Sequence, residues 1–329
     1  MSADGDDQPY AGLDPDAVLS AVESLDLACD GRLLTLNSYE NRVYRVGLED
    51  AAPVVAKFYR PGRWSDEAIA EEHAFTAELA EAELPVVPPL ELGGAHLHRH
   101  AGWRFALFPV VGGRAPEPDD KATLELLGRT LGRLHAIGAR QRFEHRSRLD
   151  PVGHGRDPIA VLLAQDWLPA HVVDPFQRLA GHLIVEVERA WQQVAPQELR
   201  LHGDFHLGNL LLRDGQLQVV DFDDTLSGPA MQDLWMLLSG EAGDMRRQLD
   251  WLLSGYTRFH RFDSRELALV EPLRTLRLLH FNAWIARRWH DPAFPAAFPW
   301  FAEPRHWEAL IGQLHEQLAA LQEPPRLLD

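Results

Sequence analysis

The sequence predicts an α+β protein of two lobes, a small antiparallel β-rich lobe over residues 1–110 and a larger, mainly helical lobe over residues 111–329. Three observations predict this division. Short β-branched and aromatic runs lie in the first third of the chain, apart from one hairpin pattern at residues 209–221. Leucines at helical spacing follow the Gly112-Gly113 pair. The length of 329 residues also fits two lobes, at about 150 residues per domain.

Local patterns predict the elements of the first lobe in order. Residues 1–12 are acidic and polar and are expected to form a frayed tail. Strand-like runs follow at residues 42–47, 53–59, 95–100 and 103–111. Between the second and third runs, Ser65 has the character of a helix N-cap, and its helix is expected to end near Ala82, before the Leu84-Pro85 break. This order is typical of a small mixed sheet with one packed helix.

The second lobe is predicted to be mainly helical. Its first helix is expected to end near Ile137 and is indicated by leucines at helical spacing, which are Leu124, Leu127, Leu131 and Leu134. A polar stretch over residues 138–158 follows this helix. The hinge between the lobes is expected at about residues 108–114. A cleft between two lobes is a common place for a ligand.

Composition and charge disfavour several functional classes. Hydrophobic residues make up 46% of the chain and charged residues 25%, which is typical of a protein with a full core. The 32 Lys and Arg against 49 Asp and Glu give a net charge of −17, which disfavours nonspecific binding to nucleic acid or to an anionic membrane. The single Cys29 excludes an intrachain disulfide, and neither a secretory signal nor a run of 18 apolar residues is found. We therefore expect a soluble, cytoplasmic protein.

The segment 201–221 carries the strongest chemical signal. Asp214-Gly215 between two apolar runs predicts a two-residue turn, so that Asn209 and Asp221 lie side by side at the open end of the hairpin. Two hard oxygen ligands at that point suit Mg²⁺, which leaves positions for substrate phosphates. Asp204 precedes Asn209 by five residues, so its carboxylate could orient an incoming hydroxyl and accept its proton during phosphoryl transfer.

Two other interpretations of this segment remain open. Asp and Asn are common turn formers, and the residues named above could serve that purpose alone. His202 and His206 could bind zinc, although no third ligand has the usual spacing and a glycine-flanked loop would hold the pair poorly. His202 is more simply explained as a brace for the loop through backbone hydrogen bonds.

The motifs His202-Gly-Asp204, Asn209 and Asp221-Phe-Asp223 have the HGDxHxxN and DFD form of the aminoglycoside/choline kinase family, which this segment resembles. The resemblance extends to protein kinases and implies a protein-kinase-like bilobal fold and an ATP- and Mg²⁺-dependent phosphotransferase. It implies that Asp204 is the catalytic base and that Asn209 binds Mg²⁺. It also implies that Asp221 is catalytic as the principal Mg²⁺ ligand. Asp233 resembles the family's structural aspartate, which ties its helix to the catalytic loop.

Nucleotide contacts are expected from the first lobe. Lys57 lies inside an apolar strand, where burial of an unpaired ammonium would be costly. By resemblance it holds the α- and β-phosphates of ATP, with Glu72 as its partner and Glu71 as the alternative partner. Residues 36–42 take the place of the phosphate-covering loop but lack GxGxxG, so Ser38 and neighbouring amides are expected to donate to phosphate.

Other segments resemble a branch of bacterial serine/threonine protein kinases within this family; they are residues 36–44, 55–61, 228–238, 291–295 and 321–325. This resemblance implies a monomer that transfers phosphate from ATP to protein Ser or Thr hydroxyls, its own included, in stress responses. The alternative is a small-molecule kinase acting on an amino alcohol or an antibiotic, because Asp204 would activate either kind of hydroxyl. A third hypothesis is a nucleotide-binding module without turnover. In either kinase, Arg287 or Arg288 could meet an anionic group of the substrate.

Overall fold

The computed structural model describes residues 8–117, 120–164 and 166–323, in which helices outnumber short antiparallel strands. The strands are, in chain order, β1 (Cys29–Leu36), β2 (Arg42–Leu48), β3 (Val54–Phe58), β4 (His98–His100), β5 (Trp103–Pro109), β6 (Leu199–Leu201), β7 (Leu210–Arg213), β8 (Gln216–Val219) and β9 (Leu226–Gly228). The helices are α1 (Pro15–Glu23), α2 (Asp66–Glu81), α3 (Lys121–Gly138), α4 (Asp157–Ala164), α5 (Ala170–Val194), α6 (Met231–Trp235), α7 (Ala242–Tyr256), α8 (Val270–Arg288), α9 (Ala293–Ala297) and α10 (Pro304–Gln322).

The chain divides into two compact units, which are not continuous in sequence. The first unit extends to Pro116 and also includes Phe143–Arg146 and Leu207–Asp223. The segments of the second unit are Glu117–Arg142, Ser147–His206 and the segment that begins at Asp224. The β7–β8 hairpin therefore belongs to the first unit, although it lies far beyond residue 110, the predicted end of the first lobe.

The first unit is built on a five-stranded antiparallel sheet of order β1-β2-β3-β5-β4. Lys57 of β3 lies opposite Val43 of β2 and Ala106 of β5, which places it in the middle of the sheet. Helix α2 begins as predicted, because the Ser65 hydroxyl accepts a hydrogen bond from the Ala68 amide at 3.2 Å. The predicted antiparallel sheet with a packed helix is confirmed, whereas the interpretation of the element order as a mixed sheet is wrong, because all four strand pairs are antiparallel.

The N-terminal region differs from the prediction. Residues 1–7 of the expected frayed tail lie outside the described residues, but Tyr10 is packed. Its hydroxyl donates to the Glu40 carbonyl at 2.8 Å, and its ring stacks on Trp103 with 6.0 Å between centroids. A frayed tail was therefore wrong for residues 8–12. The sequence patterns also did not indicate α1 or β1. The residues of β1 are all half-buried or exposed.

The second unit is mainly helical, as predicted. The four leucines that indicated α3 are fully buried. Helix α7 packs closely on α3 at two glycines, because a Cβ at Gly128 would lie 2.0 Å from the Leu252 carbonyl oxygen and one at Gly132 would lie 2.4 Å from that of Tyr256. Helices α5, α8 and α10 enclose a separate apolar core around Trp307. Among the described residues, no helix combines the length and apolarity that a membrane span requires.

Candidate active site

Lys57 is the centre of a buried cluster of charges in the first unit. Its Nζ lies 3.2 Å from Glu72 Oε1 and 3.0 Å from Asp223 Oδ1, and it lies 3.6 Å from Asp221 Oδ1. Lys57, Glu72 and Asp223 are all buried, whereas the side chain of Asp221 is 56% exposed. The prediction that Lys57 pairs with Glu72 is confirmed by this geometry.

Lys57 and Asp223 stay ionised because opposite charges surround each of them. Burial alone would lower the pKa of Lys57, but the carboxylates of Asp223 and Glu72 hold it well above its ordinary value. Burial would likewise raise the pKa of Asp223, and the cations of Arg63, Lys57 and Arg146 hold it below its usual range. Lys57 is therefore a fixed positive charge, which is the property that a phosphate-binding group requires.

Arg146 is a part of this cluster that the sequence reasoning missed. Its side chain is fully buried, with Nη1 at 3.6 Å from Glu72 Oε2 and Nη2 donating to the Asp223 carbonyl. Its guanidinium stacks on Trp64 at 3.9 Å. Glu71 holds this segment in place, because its carboxylate accepts the backbone N–H groups of residues 144–146 at 2.7–2.9 Å. Glu71 is thus a backbone anchor, and the alternative of Glu71 as the partner of Lys57 is wrong.

A cavity of about 260 Å³ opens beside the Lys57 cluster within the first unit. Predicted site residues on its wall are Ser38, Lys57, Glu72 and Asp221. Apolar side chains from β2, β3 and the segment after β5 complete the wall, among them Val43, Val55 and Val111. Most small-molecule sites have this combination of apolar walls and a few polar groups at one end.

The β7–β8 hairpin has the predicted register. Arg213 pairs with Gln216, and the turn residues Asp214 and Gly215 have φ of 52° and 76°, as a tight hairpin turn of this kind requires. At the open end, the Val220 amide donates to the Asn209 carbonyl at 3.0 Å. Asp221 follows with φ of 62°, a left-handed conformation that is uncommon outside glycine. Such strained residues often lie at functional sites.

The residues at this end of the hairpin fit a magnesium ion. Asp221 has an exposed carboxylate on the cavity wall. The backbone carbonyl of Asn209 accepts a hydrogen bond from the amide of Val220, the residue before Asp221. No group of three His, Cys, Asp or Glu within the described ranges could hold a metal alone. Mg²⁺ is commonly bound by one or two protein oxygens together with phosphates and water, so two ligands are enough. The same finding gives no support to zinc at His202 and His206.

Asp204 lies in the second unit, between a guanidinium and an imidazole. Arg277 Nη1 donates to its Oδ1 at 2.9 Å, and His206 Nε2 lies 3.2 Å from its Oδ2. Burial would raise the pKa of Asp204, but the His206 hydrogen bond and the Arg277 charge hold it well below its usual range. Asp204 is therefore an ionised carboxylate that is suited to orienting a hydroxyl. Arg277 follows it by 73 residues and was not predicted.

The loop that carries Asp204 is held by Asp233, as the sequence suggested. The Asp233 carboxylate accepts the backbone N–H groups of His202 and Gly203, both at 2.9 Å. His135 Nε2 lies 3.1 Å from Asp233, and its Nδ1 lies 2.8 Å from the Tyr256 hydroxyl. This buried network fixes the backbone immediately before Asp204.

The chain is similar along most of its length to known bacterial proteins. Residues 33–249 match the model of the phosphotransferase enzyme family. Stress response kinase A of Escherichia coli (strain K12) is 42% identical over 316 residues, 96% of either chain. A protein of Salmonella typhimurium named serine/threonine protein kinase RdoA matches with the same identity and coverage.

Solved structures show the same fold at low sequence identity. Amicoumacin kinase hAmiN, in complex with AMP-PNP, Ca²⁺ and Ami, has a TM-score of 0.70 and 16% identity over 93% of both chains. A microcompartment-associated aminopropanol kinase also has a TM-score of 0.70, with 19% identity over 94% of this chain and 98% of its own. The predicted two-part α+β fold is therefore confirmed as that of this kinase group.

Proposed function

Since the chain belongs to the phosphotransferase enzyme family, we propose that it transfers the γ-phosphate of ATP to Ser or Thr hydroxyls of proteins, with Mg²⁺ as cofactor. The single observation that carries ATP-dependent transfer is the Lys57–Glu72 pair beside Asp221 on the wall of one cavity. The choice of protein hydroxyls is supported by 42% identity over 96% of the chain to a relative named serine/threonine protein kinase.

On the nucleotide side, each residue has a proposed role. The Lys57 ammonium binds the α- and β-phosphates, and Glu72 holds it in place. Ser38 donates its hydroxyl or amide to phosphate from the loop between β1 and β2. Asn209 and Asp221 would hold Mg²⁺. The bound ion would neutralise the phosphate charge during transfer.

On the acceptor side, Asp204 is proposed to orient the hydroxyl. Its low pKa makes it a weak base, which suits a reaction with a loose transition state, in which the acceptor proton leaves late. His206 and Arg277 hold its two oxygens in fixed directions. The acceptor hydroxyl is then positioned by a preorganised carboxylate. As its oxygen bonds to the γ-phosphorus, the bond from that phosphorus to the bridging oxygen breaks, ADP leaves, and the hydroxyl proton passes to Asp204.

A small-molecule kinase is the second candidate. The two solved structures described above, each with a TM-score of 0.70, are named as an amicoumacin kinase and an aminopropanol kinase. Their identity of 16–19% is far below that of the protein-kinase relatives, which is why we place this candidate second.

The experiment is transfer from labelled ATP to a cell extract and, in parallel, to choline, ethanolamine and aminopropanol. We expect labelled protein phosphoserine or phosphothreonine. Asp204→Asn should lower turnover by about 10²- to 10⁴-fold with little change in ATP affinity. Asp221→Ala should weaken binding of the metal–nucleotide complex as well. Label found only in small alcohols would reverse the order of the two candidates, and full turnover in both variants would end the assigned roles.

A further inference from the structure

Arg277 brings a permanent positive charge to the proposed catalytic carboxylate. Its Nη1 donates to Asp204 Oδ1, yet its side chain stays 45% exposed. Within the part of the chain that the structure describes, its hydrogen-bond contacts are to Asp204 and to Met236 Sδ at 4.0 Å, and both run through Nη1. A guanidinium carries five N–H donors, so its Nε and Nη2 edge is available to a ligand.

An acceptor hydroxyl would have to approach Asp204 beside this guanidinium. Each carboxylate oxygen has two lone pairs, so Asp204 can accept a bond from the acceptor while it keeps Arg277 and His206. Whatever group the acceptor carries next to its hydroxyl then lies within a few ångströms of the Arg277 edge. A charge on that group would interact strongly with the Arg277 guanidinium at such a separation.

One turn to either side of Arg277, helix α8 carries a paired arginine and an exposed phenylalanine. One turn before it, Arg274 is paired with Glu271 at 2.8 Å, so that charge is already balanced. One turn after it, Phe281 is 37% exposed and stacks on Trp284 with 5.7 Å between centroids. A guanidinium beside the exposed Phe281 ring is suited to a peptide that carries a carboxylate next to its hydroxyl.

We propose that Arg277 determines acceptor specificity: it favours Ser or Thr hydroxyls flanked by carboxylates, and it disfavours hydroxyls next to an ammonium, as in amino alcohols and aminoglycosides. This inference rests on the proposed phosphotransferase function. A guanidinium edge binds a carboxylate through two parallel hydrogen bonds and repels an ammonium. Arg287 and Arg288, which the sequence suggested for an anionic group, lie in the last turn of α8, roughly three turns from Arg277.

The test compares three serine peptides that differ only in the flanking residues, which are Asp, Gln or Lys. We expect kcat/KM of the wild type to fall about tenfold at each step from Asp to Gln to Lys, the factor for about 1.4 kcal/mol. Arg277→Gln should bring the three values together. Arg277→Lys, which keeps the charge but loses the two-bond geometry, should keep part of the preference, and Arg277→Glu should reverse it.

A matched control is Arg247→Gln, which removes another exposed arginine–carboxylate pair of the second unit, at 2.6 Å from Asp244. It should retain the wild-type order, and KM for ATP should be unchanged in every variant. Arg277 variants that slow all three peptides equally would show that the guanidinium only positions Asp204, and the proposal would fall. A wild type that phosphorylates amino alcohols but no peptide would overturn the proposed protein-kinase function too, so the two failures are distinguishable.

Discussion

The two charged centres of this protein are built in opposite ways. In the first unit, the buried Lys57 ammonium is surrounded by three carboxylates within 3.6 Å. In the second unit, the Asp204 carboxylate is held by the side chains of His206 and Arg277, and the Arg277 side chain is 45% exposed. At the first centre a buried ammonium lies among carboxylates, and at the second a carboxylate is held by a guanidinium and an imidazole.

The two centres derive their rigidity from different sources. A buried charge that loses its partner is left uncompensated in a medium of low dielectric, so the Lys57 centre should be inseparable from the stability of its unit. An exposed ion pair contributes little to folding, so Arg277 should be free to serve substrate choice. Variants at the first centre should therefore change stability strongly, and Arg277 variants should change activity with only a small change in stability.

The largest expected effect is that of Lys57→Met, which keeps the shape of the side chain and removes its charge. Glu72 and Asp223 would then be buried without their ammonium partner. We expect a loss of about 3–5 kcal/mol in the free energy of unfolding, measured by urea denaturation, together with loss of ATP binding.

The double variant Lys57→Met/Glu72→Leu is the control for that result. Because it removes a carboxylate along with the ammonium, it should recover part of the lost stability without recovering ATP binding. A single variant as stable as the wild type would show that the first centre is not held by its charges.

The next largest effect is expected at Gly203, in the backbone immediately before Asp204. Gly203 has φ of 86°, and a Cβ there would lie 2.1 Å from the Asp224 carbonyl oxygen. Gly203→Ala should cost about 3 kcal/mol in stability, because strain and a backbone clash add. Gly215→Ala is the matched control, with φ of 76° and no atom within 4 Å of the added Cβ, and should cost about 1 kcal/mol. Thermal and urea unfolding measure the stability of both variants. If Gly203→Ala and Gly215→Ala lose the same stability, the close packing at Gly203 does not have the expected role.

Sequence reasoning succeeded where neighbours in space are neighbours in the chain. The turn at Asp214-Gly215 and the pairing of Arg213 with Gln216 follow from a local pattern, and the structure has both. The Lys57–Glu72 pair spans 15 residues and came from resemblance to a family.

Arg146 and Arg277 illustrate what the sequence could not predict. Arg146 lies in a polar stretch that resembles an ordinary loop, and its partner Asp223 follows 77 residues later. Arg277 lies 73 residues from Asp204, on a helix with several other arginines. Contacts at such separations depend on how elements pack, and neither residue type nor periodicity distinguishes these arginines from solvated ones.

Glu266 is an exception to this contrast, because it is a buried acid of the second unit. Its carboxylate lies at the N-terminal end of α6, although the residue itself precedes α8 in the chain. Its carboxylate accepts the Met231 amide at 2.9 Å, and burial raises its pKa from 4.5 to about 7. Between these two pH values the folded protein keeps a proton that the unfolded chain has lost, so this group's contribution to stability falls as pH rises through the window. The full loss is about 3 kcal/mol.

Glu266→Gln tests this exception. The amide oxygen can still accept from Met231, and it does not ionise. Relative to the wild type, the variant should therefore gain about 2–3 kcal/mol in stability between pH 5 and pH 8. Glu241→Gln, at an exposed acid of the same unit, should show no such pH-dependent gain. A wild-type profile parallel to that of Glu266→Gln would place the pKa of Glu266 near its ordinary value.

The smallest expected effect on folding is that of Arg277→Gln, and it tests the comparison most directly. Removing an exposed partner of Asp204 should cost less than about 1 kcal/mol in the free energy of unfolding. The pKa of Asp204, now held low by His206 and Arg277, should rise toward its ordinary value. The small stabilisation from Arg277 should therefore be present above about pH 4 and disappear as pH falls through the lowered pKa. Urea denaturation at pH 7 and pH 3 measures both quantities; a loss as large as that of Lys57→Met would mean that both centres are structural and that the contrast between them does not hold.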